Sequence, residues 1–311
     1  MTDPADIQIS ADEFRQLFDR VSNWGRWGAD DERGALNYLT PEKVAKATRL
    51  VRSGRTVSLS RPLNTEREPD NPEPADHHMT MLGAKDHPDG LAFVKDYIGV
   101  DYHNDSHSHL DALCHVSYDG SLYNGRPADS VSATGAAVET VELLKDGLIG
   151  RGILLDIPRT RGVSWLEPGD SVLPGDLDEA ERRERVSVGE GDTLLVRTGH
   201  ATRLDELGPW DTGSAKAGLH PKCADFLSER RVAALGCDSN SDTAPPVTEG
   251  VGFPIHVLAL TAMGVHLLDY LLFDELAGAC EEAGRWEFLF VAAPLRIAGG
   301  TGSPLNPIAI L

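Results

Sequence analysis

The amino-acid sequence predicts an α/β protein. Short apolar runs such as Arg151–Ile157 (RGILLDI), Thr193–Arg197 (TLLVR) and Phe288–Ala292 (FLFVA) have the length and composition of buried strands. They alternate along the chain with segments of helical length, which is typical of α/β folds. The 311 residues, 41% of them hydrophobic, are enough for one large domain or two small ones with a sizeable core.

The start of the chain predicts a helical N-terminal extension over residues 1–55, followed by the main domain over residues 56–311. A short helix is expected near Ala11–Val21. A second helix runs to about Val51, with Thr40 as its N-cap and Pro41 in its first turn. Thr56–Leu59 is the first strand candidate. Residues 64–90 have no hydrophobic period and predict a long loop, a kind of segment that often carries function.

In the rest of the chain, strand-like and helical patterns follow one another. Gly99–Cys114 alternates as a strand does, and Val232–Leu235 adds a fourth apolar run. The predicted helices are Val138–Leu144, Leu177–Arg185, Pro221–Arg230, His256–Met263 and Phe273–Ala283.

Charge and cysteine content limit the partners and the compartment. The formal net charge of −20 disfavours nucleic acid and acidic membranes. The four cysteines form no CxxC pair, which excludes a cysteine-based zinc knuckle, and their low number argues against a disulfide scaffold. The first residues lack the apolar stretch of a secretory signal, and no apolar run approaches the ~20 residues of a membrane helix. We therefore expect a cytoplasmic protein that acts on a small molecule.

Histidines and aspartates are concentrated between residues 103 and 115. On a strand, alternate side chains share one face at a spacing of ~6.5–7 Å, and several ligands could then converge on one ion. Imidazole and carboxylate groups suit Zn²⁺, Mn²⁺ or Fe²⁺. The residues on that face are His103, Asp105, His107, His109 and Asp111.

His115 follows Asp111 by four residues and is a candidate general base, because the pKa of histidine lies near working pH. Alternatively it is a further ligand, or it orients one. Cys114 is a weaker candidate as a nucleophile, since neighbouring strand residues face opposite sides and it would point away from His115. His77 and His78, in the predicted loop, either contact substrate or metal or are simply solvated.

The segment SHSHLDALCH (Ser106–His115) resembles the HxGTHxDxPxH motif of the cyclase superfamily, which includes bacterial kynurenine formamidase and isatin hydrolase. This resemblance implies a swivelling β/β/α fold with a mixed β-sheet core and flanking helices, assembled as a homodimer or homotetramer. Further segments similar to the longer members are WGADDERGALNYLTPEKV (Trp27–Val44), GRGILLDIPRTRG (Gly150–Gly162), GDTLLVRTGH (Gly191–His200), LGCDSNSD (Leu235–Asp242) and GGTGSPLNPIAIL (Gly299–Leu311).

The resemblance also implies site residues near the motif. His109 and Asp111 match metal ligands, and His115 matches the family's proposed base or proton shuttle. The first ligand position of the motif falls on Asp105 instead of a histidine. This departure leaves the third ligand open among Asp105, His107 and His103.

The segment Pro254–Leu276 resembles the region that carries the family's distal histidine and glutamate. His256 stands at the histidine position, and Asp269, one methylene shorter, stands at the glutamate position. Asp238 lies in a segment that matches a stretch near the family's site.

The resemblance, together with the cluster, predicts a metal-dependent hydrolase that uses Mn²⁺ or Zn²⁺. Such an ion lowers the pKa of a water molecule toward ~7, His115 accepts the proton, and an amide, lactam or lactone carbonyl of a small cyclic or aryl substrate is attacked. His256 and Asp269 orient the substrate or protonate the leaving group. Two alternatives stay open: a polyketide-type cyclase or dehydratase, and a metal-binding protein without activity.

Overall fold

The computed structural model describes residues 8–83 and 90–311. The strands in these ranges are β1 (Thr56–Ser58), β2 (Asp76–Leu82), β3 (Val94–Gly99), β4 (His109–Asp111), β5 (Val131–Ser132), β6 (Gly135–Ala136), β7 (Leu148–Asp156), β8 (Ser171–Val172), β9 (Thr193–Arg197), β10 (Gly218–Leu219), β11 (Ala234–Cys237), β12 (His266–Asp269), β13 (Glu287–Ala292), β14 (Gly302–Pro304) and β15 (Ile308–Ile310). The α-helices are α1 (Ala11–Val21), α2 (Pro41–Ala47), α3 (Ile157–Arg161), α4 (Pro174–Glu184), α5 (His200–Leu207), α6 (Cys223–Arg230), α7 (Pro254–His256) and α8 (Asp274–Ala283). The last turn of α7 continues as a π-helix over Val257–Met263.

A nine-stranded mixed sheet organises the molecule, in the order β1-β15-β13-β7-β9-β11-β12-β4-β14. The central strands β7, β9, β11 and β12 are parallel, and antiparallel strands complete both sides. Leu194 and Val196 of β9 point into one core cluster, and Leu195 between them points into the other. Helices cover both faces, which explains why the central strands are continuous apolar runs. The predicted α/β fold with a mixed sheet is confirmed.

The N-terminal segment packs onto one face of this sheet. Ser10 caps α1 through a capping box with Glu13. Phe14 and Leu17 are buried in the same core cluster as Leu194. Residues 8–55 therefore share a core with the rest of the chain. None of the described helices is long and apolar enough to cross a membrane.

Three predicted elements differ from the structure. The long strand over Gly99–Cys114 is wrong: only its residues 109–111 form a strand of the large sheet, and residues 100–108 have no regular structure. The predicted loop over residues 64–90 contains β2, which pairs with β3 in an antiparallel ribbon, while residues 84–89 lie outside the described ranges. Val138–Leu144 forms only a 3₁₀ turn at its end, Val141–Leu144.

Candidate active site

Three neighbouring strands at one side of the sheet bring the candidate site residues together. β4 is antiparallel to β12, and this register sets His109 opposite Asp269. Asp111 lies two residues further along β4, so its side chain projects from the same face as His109. On the other side of β4, Gly302 of β14 lies opposite Asp111. A histidine and two carboxylates thus meet because of strand pairing, although up to 160 residues separate them.

A first group of possible metal ligands consists of His103, His109 and Asp111, with ligand atoms all within 4.8 Å of one another. Asp111 Oδ1 lies 2.9 Å from His103 Nδ1 and 3.5 Å from His109 Nε2. The Nδ1–H of His109 donates to the carbonyl oxygen of His107 at 2.7 Å. That bond leaves the lone pair of His109 on Nε2, which faces Asp111.

A second group shares Asp111 and adds His256 and Asp269. His256 Nε2 lies 3.5 Å from Asp111 Oδ2 and 3.4 Å from Asp269 Oδ2. Asp242 Oδ2 lies 2.6 Å from His256 Nδ1, and Asp242 Oδ1 accepts the backbone N–H of Ile255 at 2.6 Å. The His256 ring is therefore held by its Nδ1 and directs Nε2 to the two carboxylates.

The chemistry of these groups fits a divalent cation. Four buried atoms form no hydrogen bond within the described part of the chain: His103 Nδ1, both carboxylate oxygens of Asp111, and Asp269 Oδ2. Among residues 8–83 and 90–311, no lysine or arginine makes an ion pair with either carboxylate. Buried carboxylates without a counter-charge are costly. A nitrogen and oxygen ligand set of this kind suits Mn²⁺ or Zn²⁺.

The surroundings of His256 also favour positive charge in the cluster. Burial alone would lower the pKa of His256. The neighbouring carboxylates of Asp111, Asp242 and Asp269 outweigh this effect and raise the pKa of His256 well above its ordinary value. The three carboxylates thus favour positive charge at this buried position.

The structure does not bring Asp105 into either group. Its Oδ1 accepts from Lys216 Nζ at 3.0 Å and from the Tyr270 hydroxyl at 2.6 Å, and its Oδ2 accepts from Thr212 at 3.1 Å. Burial would raise the pKa of Asp105, but Lys216 and Tyr270 outweigh it and hold the pKa below its usual range. The carboxylate already has a cationic partner, which argues against its predicted role as a ligand.

His107 also lies outside both groups, although its side chain is buried. The prediction that it shares a face with His109 rested on a strand, and residues 100–108 are not one. The loop turns so that His103, six residues before His109, takes the third position in the first group.

His115 lies beside the first group. Its ring stacks on His103 with centroids 3.8 Å apart and an interplanar angle of 5°, and it lies 6.5 Å from the His256 ring. Burial lowers the pKa of His115 to about 4, so the imidazole is neutral and able to accept a proton. By contrast, burial raises the pKa of the neighbouring Cys114 to about 12, which disfavours the thiolate needed for nucleophilic attack.

A cavity of about 400 Å³ opens onto these histidines. Its polar lining residues include the site imidazoles with Asn104 and Asn240. Its apolar lining residues include Val116, Val251 and Phe253. This combination of apolar lining residues with a few convergent polar groups is typical of small-molecule sites.

Sequence reasoning missed Asp242 and assigned a neighbouring role to Asp238. Asp238 instead accepts hydrogen bonds from the backbone N–H groups of Thr198, Gly199 and His200, and so fixes the turn into α5. Both aspartates stand in LGCDSNSD, so the motif points to the segment but not to the residue that contacts His256. The exposed His77 and His78 pair with Asp96 and Asp76, away from the cavity.

The sequence and the fold of this chain are similar to those of known proteins. A model of the Cyclase family matches residues 57–242, more than half of the chain. The crystal structure of a novel cyclase is 34% identical, with 94% of this chain and 99% of that chain covered and a TM-score of 0.85. This likeness confirms the fold that the motif resemblance implies.

Isatin hydrolase from Roseibium aggregatum is 26% identical over 147 residues, which cover 46% of this chain and 53% of that relative. The match thus spans about half the length of the curated relative. Isatin hydrolase A from Labrenzia aggregata, solved with benzyl benzoate, is 22% identical, with 82% of this chain and 93% of that chain covered and a TM-score of 0.59. At this identity, the second likeness concerns the fold.

Proposed function

Because this chain belongs to the Cyclase family, we propose that it is a metal-dependent hydrolase that opens an amide, lactam or lactone bond in a small cyclic or aryl substrate. The observation that carries the proposal is the pair of ligand groups joined through Asp111, whose histidines, His103, His109 and His256, line the cavity. The relation to isatin hydrolase, whose name indicates action on a cyclic amide, supports the substrate class.

In this proposal His103, His109 and Asp111 hold a divalent cation, Mn²⁺ or Zn²⁺. The cation would supply Lewis acidity, which lowers the pKa of water and polarises a carbonyl group. Two neighbouring polar groups hold the histidine ligands in position. The carbonyl oxygen of His107 fixes the His109 ring, and Thr301 Oγ1, 3.0 Å from His103 Nε2, fixes the His103 ring.

His115 acts as the general base. It lines the cavity, and its ring contacts His103, so a water molecule near the first group would be within its reach. Its neutral imidazole accepts the proton of the attacking water.

His256 is the proton donor to the leaving nitrogen or oxygen. Asp242 holds its Nδ1, Asp111 and Asp269 favour its protonated form, and it lines the same cavity. The apolar lining residues Val116, Val251 and Phe253 hold the ring of the substrate and exclude water from the reacting groups.

The proposal is tested by turnover. Protein loaded with Mn²⁺ or Zn²⁺ is assayed on isatin, N-formyl anilines and aryl lactones, in parallel with the His115→Ala variant. We expect hydrolysis of at least one compound class, and a kcat at least ~100-fold lower in the variant, as is usual for a lost general base. Stoichiometric metal binding without turnover on any class would contradict the hydrolase proposal.

A further inference from the structure

Asp105 supplies the one carboxylate among the described residues that line the active-site cavity, and its side chain is 25% exposed. Asn104, the preceding residue, also lines the cavity, but its amide is used within the loop. The oxygen of this amide accepts the N–H groups of Ser106 and His107, and its nitrogen donates to two backbone carbonyl oxygens. Of these two neighbours, Asp105 is therefore the one to consider as a partner for a bound molecule.

Three donors from distant parts of the chain fix the Asp105 carboxylate. Its Oδ1 accepts from Lys216 Nζ at 3.0 Å and from the Tyr270 hydroxyl at 2.6 Å. Within the described part of the chain, its Oδ2 accepts only from Thr212 Oγ1, at 3.1 Å. Each carboxylate oxygen has two lone pairs. Both lone pairs of Oδ1 are thus used, and Oδ2 keeps one acceptor position for a further donor.

The groups that hold Asp105 do not serve stability alone. The Lys216 side chain is only 3% exposed, so its charge is removed from water. Tyr270 is fully buried, and its φ of 54° lies in the left-handed region that residues other than glycine rarely adopt. Apolar side chains of similar size would stabilise the fold at least as well as a buried lysine and aspartate. The arrangement instead orients a carboxylate at the cavity, and strained backbone of this kind is concentrated at functional sites.

We propose that Asp105 determines substrate specificity by accepting a hydrogen bond from an amide or lactam N–H of the substrate. This inference rests on the proposed hydrolase function, and it narrows the substrate class to compounds with a free N–H beside the reacting carbonyl. Lys216 and Tyr270 prevent the carboxylate from turning away. A substrate with a ring oxygen or an N-methyl group in place of the N–H would leave Oδ2 unpaired or repelled, which disfavours its binding.

The position and the charge of Asp105 suit this role. His103 and His109 of the first ligand group line the same cavity of about 400 Å³, and the Tyr270 ring lies beside the His109 ring with centroids 6.4 Å apart. A cavity of this size holds a molecule of one or two rings, so a substrate whose carbonyl faces the first ligand group also reaches Asp105. Because Lys216 already supplies the counter-charge, a neutral N–H donor suits Oδ2 better than a second cation.

The substitution Asp105→Asn should turn this acceptor into a donor. The lysine ammonium has no acceptor atom, so Lys216 keeps the oxygen of the new amide at the position of Oδ1. The amide NH₂ group then takes the place of Oδ2, where the Thr212 hydroxyl accepts from it. The variant thus presents an N–H group to the N–H of the substrate, and the preference for an N–H compound should disappear or reverse.

The experiment compares two probes of the same shape, indole-2-carboxylate and benzofuran-2-carboxylate. They differ only in a ring N–H against a ring oxygen, and they contain no amide or ester bond. Their dissociation constants are measured by calorimetric titration in the presence of Mn²⁺, for the wild type, Asp105→Asn and a control. The control, Asp211→Asn, removes the same charge at an exposed residue that does not line the cavity. Circular dichroism establishes that all three proteins are folded.

We expect the wild type and Asp211→Asn to bind the indole at least ~10-fold more tightly than the benzofuran, and Asp105→Asn to bind the two within ~3-fold or to prefer the benzofuran. Equal affinities in the wild type, no binding of the indole, an unchanged preference in Asp105→Asn, or the same loss in Asp211→Asn would overturn the inference. Should Asp105→Asn not fold because Lys216 loses its counter-charge, the double variant Asp105→Asn/Lys216→Met takes its place, with the same expected result.

The two proposals fail separately, because neither probe is turned over. A clear preference for the indole in a protein without hydrolase activity would refute the proposed function and leave the role of Asp105 in place. Turnover of lactams and lactones without this preference would refute the role of Asp105 alone.

Discussion

At the scale of single residues, His103 and Asp105 lie two positions apart and have different partners. His103 Nδ1 lies 2.9 Å from the shared carboxylate of Asp111, whereas Asp105 is bound by Lys216 and Tyr270. The first ligand position of the motif falls on Asp105, which left the third ligand open among Asp105, His107 and His103. In our proposal His103 takes this place, because a buried lysine already neutralises the aspartate.

This difference predicts opposite effects for two substitutions. His103→Ala removes a ligand and should weaken Mn²⁺ or Zn²⁺ binding by at least ~10–100-fold, measured by calorimetric titration, with little change in apo-protein stability. Asp105→Asn should keep metal affinity within a few-fold. It leaves Lys216 buried without its counter-charge and should lower the free energy of unfolding by about 3 kcal/mol in urea titrations. Loss of metal affinity in Asp105→Asn but not in His103→Ala would show that the assignment is reversed.

The contact between Asp242 and His256 predicts that a substitution of Asp242 affects catalysis. Asp242 Oδ2 lies 2.6 Å from Nδ1 of His256. Asp242→Asn removes the negative charge that orients this imidazole and stabilises its protonated form. We expect kcat to fall by roughly 10–100-fold, with a change in the alkaline limb of the pH–rate profile. Asp238→Asn serves as a comparison, because that residue braces the turn at Thr198–His200. It should lower the melting temperature but leave the kcat of the folded protein and its pH profile unchanged. The same profile change in both variants would contradict a specific role for Asp242.

Spacing gave five candidates on one face, and the resemblance singled out His109 and Asp111 among them. The structure keeps these two on one face, because residues two apart on even a three-residue strand share it. His115 was a candidate from its place four residues after Asp111, and His256 and Asp269 were candidates by resemblance. Asp242 could not be predicted from spacing. Its contact with His256 spans fourteen residues and depends on how α7 begins, where Asp242 accepts the N–H groups of Ile255 and His256.

At the scale of elements, β4 shows why a regular pattern can mislead. The alternation of His103 to Asp111 is the pattern of a strand, yet the Asn104 side chain accepts the N–H groups of Ser106 and His107. This local bonding competes with strand pairing and bends the backbone into a loop. The apolar runs at β7, β9 and β13 were predicted correctly, because burial on both faces requires continuous hydrophobic residues.

The packing of β14 against β4 predicts a sensitive position at Gly302. A Cβ atom added there would lie 2.3 Å from the carbonyl oxygen of Leu110 and 2.8 Å from Cε1 of His103. Gly302→Ala must therefore separate the two strands or displace the His103 ring. We expect a loss of stability of about 1–3 kcal/mol together with weaker metal binding. Gly278→Ala is the matched control, since no atom lies within 4 Å of its added Cβ. Wild-type metal affinity in Gly302→Ala would argue against His103 as a ligand.

At the scale of the whole molecule, buried acids make stability depend on pH. Burial raises the pKa of Glu184 to about 8, from 4.5 in an unfolded chain. Between pH 4.5 and about pH 8, the Glu184 carboxyl group keeps its proton in the folded protein but has lost it in the unfolded chain. The free energy of unfolding therefore falls as pH rises. The sequence could not reveal this, because Glu184 occupies an ordinary helix position and only packing makes it buried.

Glu184→Gln tests this dependence. The decline in the free energy of unfolding from pH 5 to pH 8 should be smaller in the variant than in the wild type by about 2–4 kcal/mol, measured by urea denaturation at each pH. Glu281→Gln, at a side chain that is 68% exposed, should decline as the wild type does. If the free energy of unfolding declined equally with pH in the wild type and in Glu184→Gln, the Glu184 carboxyl group would be ionised in the folded protein.

The central claim is that the cluster around Asp111 holds a divalent cation. It is tested most directly by elemental analysis of protein purified without a His-tag, alongside the His109→Ala/Asp111→Ala double variant. We predict about one Mn or Zn ion per wild-type chain, and none in the variant, with both proteins folded by circular dichroism. No metal in the wild type, even after reconstitution with Mn²⁺ and Zn²⁺, would contradict the account. Equal metal content in the two proteins would contradict it as well.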